Sequence, residues 1–158
     1  MIMAKKATDA ECEANYIKLR ELFDKVVPDA NRFTIVYGCG VDVGMMDYVV
    51  VRTTTYTYTS YIIGFDADSI EIVILPFDRD MESYGKPIYQ KKSDIESAKM
   101  GWLSKEITIR DNRLPKKYIQ FSVPATINED EDQVAVVIKQ ETQHKQFVDF
   151  FKNKFAKK

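Results

Sequence analysis

The sequence contains few of the residues that enzymes most often use for catalysis and metal binding. Its 158 residues include one histidine and two cysteines. A single histidine, His144, excludes metal sites built from several imidazoles and leaves nucleophilic catalysis only one histidine base. Its neighbours in residues 143–146 are polar, which predicts a solvated surface position. We therefore expect a protein without catalytic residues, a metal or a cofactor.

An excess of one charge and long hydrophobic runs are also lacking. Lys and Arg number 23 and Asp and Glu 24, so the net charge is -1. That balance offers no general attraction to nucleic acid or to an acidic membrane surface. No apolar run exceeds about five residues, whereas a bilayer-spanning helix needs about 20. Since the first residues also lack the apolar stretch of a signal peptide, we expect a cytoplasmic protein without a transmembrane segment.

The two cysteines, Cys12 and Cys39, do not have the C-x-x-C spacing. Two reduced thiols are the ordinary interpretation in the cytoplasm, and one disulfide that joins a helix to a loop is the alternative. Cys12 falls on a predicted helix, whereas Cys39 lies in a glycine-rich segment, residues 38–44. The spacing of that segment is G-x-G-x-x-x-G, which predicts a hairpin or bulge turn rather than a phosphate-binding loop.

Two amphipathic helices are predicted, one near each end of the chain. Thr8 and Glu11 have the spacing of a capping box, and apolar residues then recur at steps of three and four until Pro28. A proline disfavours helix at the preceding residue, so the first helix is predicted over residues 9–27. The second helix is predicted over residues 142–156, with Thr142 as its cap. Its buried stripe is expected to consist of Phe147, Phe151 and Phe155.

Residues 33–138, between these helices, are rich in β-branched and aromatic residues. In residues 104–110 the alternation of isoleucine with polar residues is typical of a half-buried strand. The turns are too short to hold crossover helices, so we expect about seven antiparallel strands. No break in composition marks a second domain. The sequence therefore predicts one α+β, mainly β, domain over residues 1–158.

This order of elements resembles that of the pleckstrin-homology-like (PH-like) domains, including their bacterial members. The resemblance covers residues 33–155, and the N-terminal helix is an addition to it. It implies two bent antiparallel sheets that pack nearly orthogonally as a barrel, with a C-terminal helix capping the open corner. The resemblance rests on the order of elements, because this superfold has no diagnostic residue motif.

In PH domains that bind phosphoinositides, the loop between the first two strands supplies basic residues. The corresponding residues here, 38–47, contain Asp42 and Asp47 and no Lys or Arg. Two carboxylates repel a phosphate, whereas Met45 and Met46 offer adaptable apolar contact. We therefore expect this loop to contact protein rather than a lipid headgroup.

Aromatic and basic residues supply the remaining candidates for a binding surface. Tyr56 and Tyr58 alternate with threonines, which suits either a recognition surface or cross-strand packing. Trp102 is interpreted as a half-buried strand anchor, with ligand stacking as the alternative. Lys116 and Lys117 belong to a basic hairpin, residues 105–117, which is either a solubilising edge or a site for an anionic partner.

These features favour a non-enzymatic interaction module that binds a protein partner or a second copy of itself. An alternative is an anionic-ligand or lipid-headgroup binder that uses the basic hairpin. A third is an enzyme of unrecognised type, whose mark is a concave pocket that gathers Asp or Glu with His144 or a tyrosine.

Overall fold

The fold is α+β and mainly β, as the sequence predicts. The computed structural model describes residues 8–41, 58–78, 83–103, 105–127 and 137–157. These ranges contain two α-helices and nine strands, and all strand pairs are antiparallel. Helix α1 (Asp9–Val26) precedes the strands and helix α2 (Glu141–Phe150) follows them.

Helix α1 is bounded by the residues that the sequence indicates. The Thr8 hydroxyl accepts a hydrogen bond of 3.1 Å from the backbone N–H of Glu11 and lies 3.3 Å from the Glu11 carboxylate, to which it donates. At the other end, Val27 has an extended backbone (φ −101°, ψ 122°) directly before Pro28. The helix therefore ends one residue earlier than predicted, because the residue before a proline leaves the helical region.

The strands form a four-stranded sheet, a three-stranded sheet and a short two-stranded ribbon. The four-stranded sheet has the order β1 (Thr34–Val41), β2 (Tyr58–Asp66), β3 (Glu71–Phe77), β4 (Ile88–Lys91). The three-stranded sheet has the order β5 (Ser97–Met100), β6 (Ile107–Arg110), β7 (Tyr118–Phe121). The ribbon pairs β8 (Thr126–Ile127) with β9 (Ile138–Lys139).

The predicted turn is wrong at residues 38–40, where β1 continues as a strand. The glycines there allow the second sheet to cross β1 closely. Cys39 and Ser122 exchange backbone hydrogen bonds of 2.9 and 2.7 Å, and a Cβ atom on Gly40 would lie 2.6 Å from the Gln120 carbonyl oxygen. This bridge joins the two sheets at one point, and the described strands do not close into a barrel.

Both cysteines are free thiols, so the alternative of a disulfide between helix and loop is wrong. Cys12 is buried on α1, and Cys39 lies in β1 rather than in a turn. Burial raises the pKa of each thiol above its ordinary value. Raised pKa values leave little reactive thiolate at neutral pH, which fits structural cysteines.

Two hydrophobic cores lie on opposite faces of the four-stranded sheet. The first core fills the space between this sheet, the three-stranded sheet and α2. The second core lies between the four-stranded sheet and α1. Strand β3 is buried at every position, because Ile72 and Ile74 belong to the first core while Val73 and Leu75 belong to the second.

Helix α2 brings the predicted phenylalanine stripe into the first core. Phe147, Phe151 and Phe155 are all fully buried, and the last two lie in a π-helical turn (Phe151–Phe155) that continues α2. The predicted cap is wrong, because Gln140 rather than Thr142 precedes the first turn. The buried Gln140 amide pairs with the backbone N–H and C=O of Tyr37 at 2.7 and 2.9 Å, so it ties the start of α2 to β1.

Candidate interaction surface and basic cavity

The outward side of the three-stranded sheet is polar, while its inward side contributes to the first core. Ile107 and Ile109 of β6 are buried, and Thr108 and Arg110 alternate with them. This confirms the predicted half-buried strand, although the observed strand starts three residues later. We call the outward-facing set of the three strands the outer face; it consists of Ser97, which is buried, and of Lys99, Thr108, Arg110, Tyr118 and Gln120.

The strand register arranges the outer face in two rows. Ser97, Arg110 and Tyr118 are aligned across the sheet in one row, and Lys99, Thr108 and Gln120 in the other. Side chains that are aligned in this way lie about 5 Å apart at Cβ, close enough to bind one ligand together. A groove of about 380 Å³ lies along these rows; Met100, Gly101 and Glu106 line it together with the outer face except Tyr118.

Two large apolar side chains project from the turn between β5 and β6. We call Trp102 and Leu103 the apolar tip, and each is 83% exposed. Backbone hydrogen bonds close the turn, from Gly101 to the Glu106 carbonyl at 2.8 Å and from Lys105 to the Gly101 carbonyl at 3.0 Å. The prediction of a half-buried Trp102 is wrong, because the β5–β6 ladder ends at Met100 and the tryptophan falls in the connecting turn.

Two of the basic residues of the basic hairpin already pair with groups of its own loop. The Asp111 carboxylate is 1% exposed and accepts hydrogen bonds from the Arg113 side chain at 2.8 and 3.0 Å, and from Gln90 at 3.2 Å. Burial alone raises the Asp111 pKa, but the hydrogen bonds from Arg113 and Gln90 outweigh burial and lower the pKa below its ordinary value. Lys117 donates to the Asn112 carbonyl at 3.0 Å, whereas Lys116 is exposed.

The other sequence candidates are the residues of the first loop and of the tyrosine-rich segment. Met45, Met46 and Tyr56 lie outside the described residues, and Tyr58 is the first residue of β2. The nearby Tyr61 is buried in the first core, where its ring meets Phe121 edge-on at 6.3 Å between centroids. At Tyr61, therefore, the tyrosine-rich strand serves packing in the core between the two sheets.

A small cavity with basic residues, which we call the basic cavity, lies between α2 and the β5–β6 region. Its volume is about 130 Å³, and its lining comprises Met100, Lys105, Ile107, Val123, His144, Phe147, Val148 and Lys152. His144 is only partly exposed, so the prediction of a solvated position is wrong. The reason is helical spacing: Phe147, Val148 and Phe151 follow His144 at three, four and seven residues, on one face. This spacing was a usable signal in the sequence.

The polar groups of the basic cavity are unusual for a protein interior. His144 Nδ1 is buried and has no hydrogen-bond partner within the described part of the chain. No Asp or Glu is among the residues that line the cavity. Over the same described ranges, no three His, Cys, Asp or Glu side chains come together as a metal site. The helices of those ranges are also too short or too polar to cross a membrane.

Comparisons with known proteins identify no relative of this chain. No family model matches it, and neither a curated protein nor a solved structure does. The chain's own geometry is therefore the basis for assigning a function to it.

Proposed function

We propose that this chain is a non-enzymatic interaction module of PH-like architecture that binds a protein partner through the outer face and the apolar tip. The PH-like part of the proposal is supported by two antiparallel sheets with a C-terminal helix between them. The partner that fits best is an extended protein segment that combines apolar and acidic side chains.

The exposure of the apolar tip is the observation that carries the proposal. A tryptophan and a leucine that remain in water forgo the free energy that burial would give, about 25 cal/mol per Å² of apolar surface. Tryptophan is also among the residues most enriched at the energetic centres of interfaces. Two backbone hydrogen bonds close the turn that presents Trp102 and Leu103. They restrict the backbone of the turn, which lowers the conformational entropy that binding would cost.

The basic residues of the adjoining groove favour a partner with acidic side chains. Lys99 and Arg110 lie on neighbouring strands of the outer face, and Glu106 is the one acidic residue among those that line the groove. Complementary charge of this kind steers association and fixes the register of a bound segment. Thr108 and Gln120, which share a 3.1 Å hydrogen bond, add groups that can pair with the backbone of the segment.

Two alternative functions have weaker support in the geometry. A headgroup site on the basic hairpin would have to use Lys105, Arg110 and Lys116, because Arg113 is already paired with Asp111 and Lys117 with a backbone carbonyl. An enzyme would need a proton-transfer pair, and the basic cavity at His144 includes no carboxylate in its lining. The outer face therefore remains the better candidate.

A displayed random-peptide library, selected on the purified full chain, tests the proposal. We expect the enriched peptides to combine acidic residues with at least one large apolar residue. Their affinity, measured by fluorescence anisotropy, should fall by at least about tenfold in the double variant Trp102→Ser/Leu103→Ser, since a central interface aromatic contributes roughly 2 kcal/mol or more. Lys99→Glu should weaken binding as well and make it less dependent on salt.

The matched control is Ile17→Ser, which removes an exposed apolar residue from α1 on another element of the molecule. This variant should bind the selected peptides as the unmodified chain does. Equal losses in Ile17→Ser and in the double variant would contradict the proposal, and so would a library without enrichment. Light scattering gives the remaining outcome: a dimer that only the double variant dissociates would assign the surface to a second copy instead of a partner.

A further inference from the structure

The basic cavity combines three features that together define a ligand class. Its lining residues include apolar side chains, two lysines and His144, whose buried Nδ1 has no hydrogen-bond partner among the described residues. We propose that it binds a small organic carboxylate, with the apolar part of the ligand inside the cavity and the carboxylate at His144 and the lysines. This cavity borders the groove of the outer face, since Met100 lines both, but the proposal does not depend on the partner proposed above.

The unpaired imidazole nitrogen is the first argument. Polar atoms that are buried in proteins nearly always have a hydrogen-bond partner, so a ligand that pairs with an unsatisfied one gains free energy from that bond. His144 Nδ1 is such an exception among the described residues. With the ring turned toward the cavity, the His144 tautomer that carries its hydrogen on Nδ1 would donate to a carboxylate oxygen there and so remove the cost of burying that nitrogen without a bond.

Charge is the second argument. Lys105 and Lys152 come from different elements, the β5–β6 connection and the π-helical turn, yet both line the same small cavity. Both residues are exposed, which places them at its rim. Because no carboxylate is among the described residues that line the cavity, none of those residues competes with an anion for the lysines.

The size and the apolar walls of the cavity are the third argument. They favour a carboxylate with a hydrocarbon chain over an inorganic anion. Ile107, Val123, Phe147 and Val148 supply apolar walls. An apolar cavity of about 150 Å³ is known to accept a benzene molecule. The basic cavity, at about 130 Å³, therefore suits a chain of four or five carbons. Those walls offer nothing to a fully hydrated anion such as phosphate.

Titration of the ¹⁵N-labelled full chain with pentanoate, followed by amide chemical shifts, tests this proposal. Pentanamide, the uncharged equivalent, and inorganic phosphate, a charge without a chain, are the comparison probes. We expect pentanoate to shift the amides of Met100, Ile107, His144 and Val148 with saturation at millimolar concentration. Pentanamide and phosphate should each bind at least about fivefold more weakly, since each lacks one part of the interaction.

Three variants connect the binding to the cavity itself. The double variant Lys105→Met/Lys152→Met should weaken pentanoate binding about fivefold or more while pentanamide binding stays the same. The matched control is Lys145→Met, which removes an exposed lysine from α2 that does not line the cavity. Val148→Phe should fill the cavity and abolish saturation by pentanoate, with the remaining spectrum preserved.

Each remaining outcome contradicts the proposal. Equal affinity for pentanoate and pentanamide would show that no anion is selected. Phosphate shifts at the same amides with equal affinity would show that the apolar walls have no role. An equal effect of Lys145→Met and the double variant would reduce the interaction to general charge, and the absence of saturable shifts would remove the site.

Discussion

The two sheets are joined at Cys39 and Ser122, but they differ in how much of each is covered. The four-stranded sheet has a hydrophobic core on both faces, so that all seven residues of β3 are buried. Among the described residues, the three-stranded sheet has a core on one face only, and half-buried or exposed positions alternate with buried ones along β6 and β7. One sheet is therefore the interior of the molecule, and the other has a face on its surface.

This difference follows from the positions of the two helices. α1 covers the face of the four-stranded sheet that α2 does not reach, because Leu19, Leu22 and Phe23 pack on that side. The outer face has no equivalent helix within the described residues, and the sequence matches this by placing lysine, threonine, arginine and glutamine there. Among the described residues, α1 thus leaves the three-stranded sheet as the one with an uncovered face.

The largest expected effect belongs to the core that both sheets share. Phe151→Ala removes a fully buried ring that contacts Phe147 and Phe155 at about 6 Å between centroids. We expect the free energy of unfolding to fall by about 3–5 kcal/mol, measured by urea denaturation. Lys152→Ala, on the next residue and exposed, is the control and should change it little. A loss below about 1 kcal/mol in Phe151→Ala would mean that α2 is not docked in the core.

A matched pair of substitutions tests the difference between the sheets directly. Leu75→Ala creates a cavity under α1 on β3, and we expect it to cost about 2–5 kcal/mol. Gln120→Ala, at an outward position of β7, should change stability by no more than about 0.5 kcal/mol. Urea denaturation again measures the free energy of unfolding. Similar losses in the two variants would contradict the claim that one sheet has a core on both faces and the other on one face.

The buried carboxylate next to the three-stranded sheet makes stability dependent on pH. The Asp111 pKa is lowered in the folded state, so its stabilisation is present above the ordinary aspartate pKa of about 3.9 and is lost as pH falls through the folded pKa. Asp111→Asn should cost about 1.5–3 kcal/mol at pH 7, since hydrogen bonds to a charged group are lost.

Thermal unfolding between pH 7 and about pH 2 measures this contribution. The difference in melting temperature between the unmodified chain and Asp111→Asn should be largest at pH 7 and should decrease as the pH falls. Asp94→Asn is the control, because Asp94 is exposed and lies 3.9 Å from Arg113. If this difference in melting temperature did not change with pH, the charge of Asp111 would not be the source of the stabilisation.

The smallest effect on stability is expected at the apolar tip. Trp102→Ser and Leu103→Ser remove side chains that are mostly in water, so each should change the free energy of unfolding by no more than about 0.5 kcal/mol. Urea denaturation with tyrosine fluorescence measures this without the tryptophan signal. A loss of 2 kcal/mol or more, the range of about one buried side chain, would show that the tip packs on the protein itself.

Much of the fold was predictable, because local signals agreed with tertiary packing. The caps and Pro28 define α1, and the spacing of Phe147, Phe151 and Phe155 predicts the buried face of α2. The path of β1 through Gly38 and Gly40 was not predictable, since glycine signals a turn locally and here serves the close crossing of another strand. The predicted barrel also depends on contacts between sheets that no local pattern encodes.

The surface was less predictable than the fold. The alternation in β6 located one strand of the outer face, but the role of Lys99 depends on its register with Thr108. The exposure of Trp102 depends on where the β5–β6 ladder ends, and an aromatic residue alone favours burial. His144 was misjudged because its sequence neighbours are polar, whereas its neighbours on the helix face are Phe147 and Val148.

The central claim is that a partner occupies the outer face and the apolar tip, and the footprint of a bound partner tests it most directly. Amide and indole chemical shifts of the ¹⁵N-labelled chain should be recorded with and without a peptide from the library selection. We predict the largest changes at the Trp102 indole and at residues of β5, β6 and β7, with α1 and β4 unaffected. Changes concentrated on α1 or on β4, with the Trp102 indole unmoved, would contradict the account.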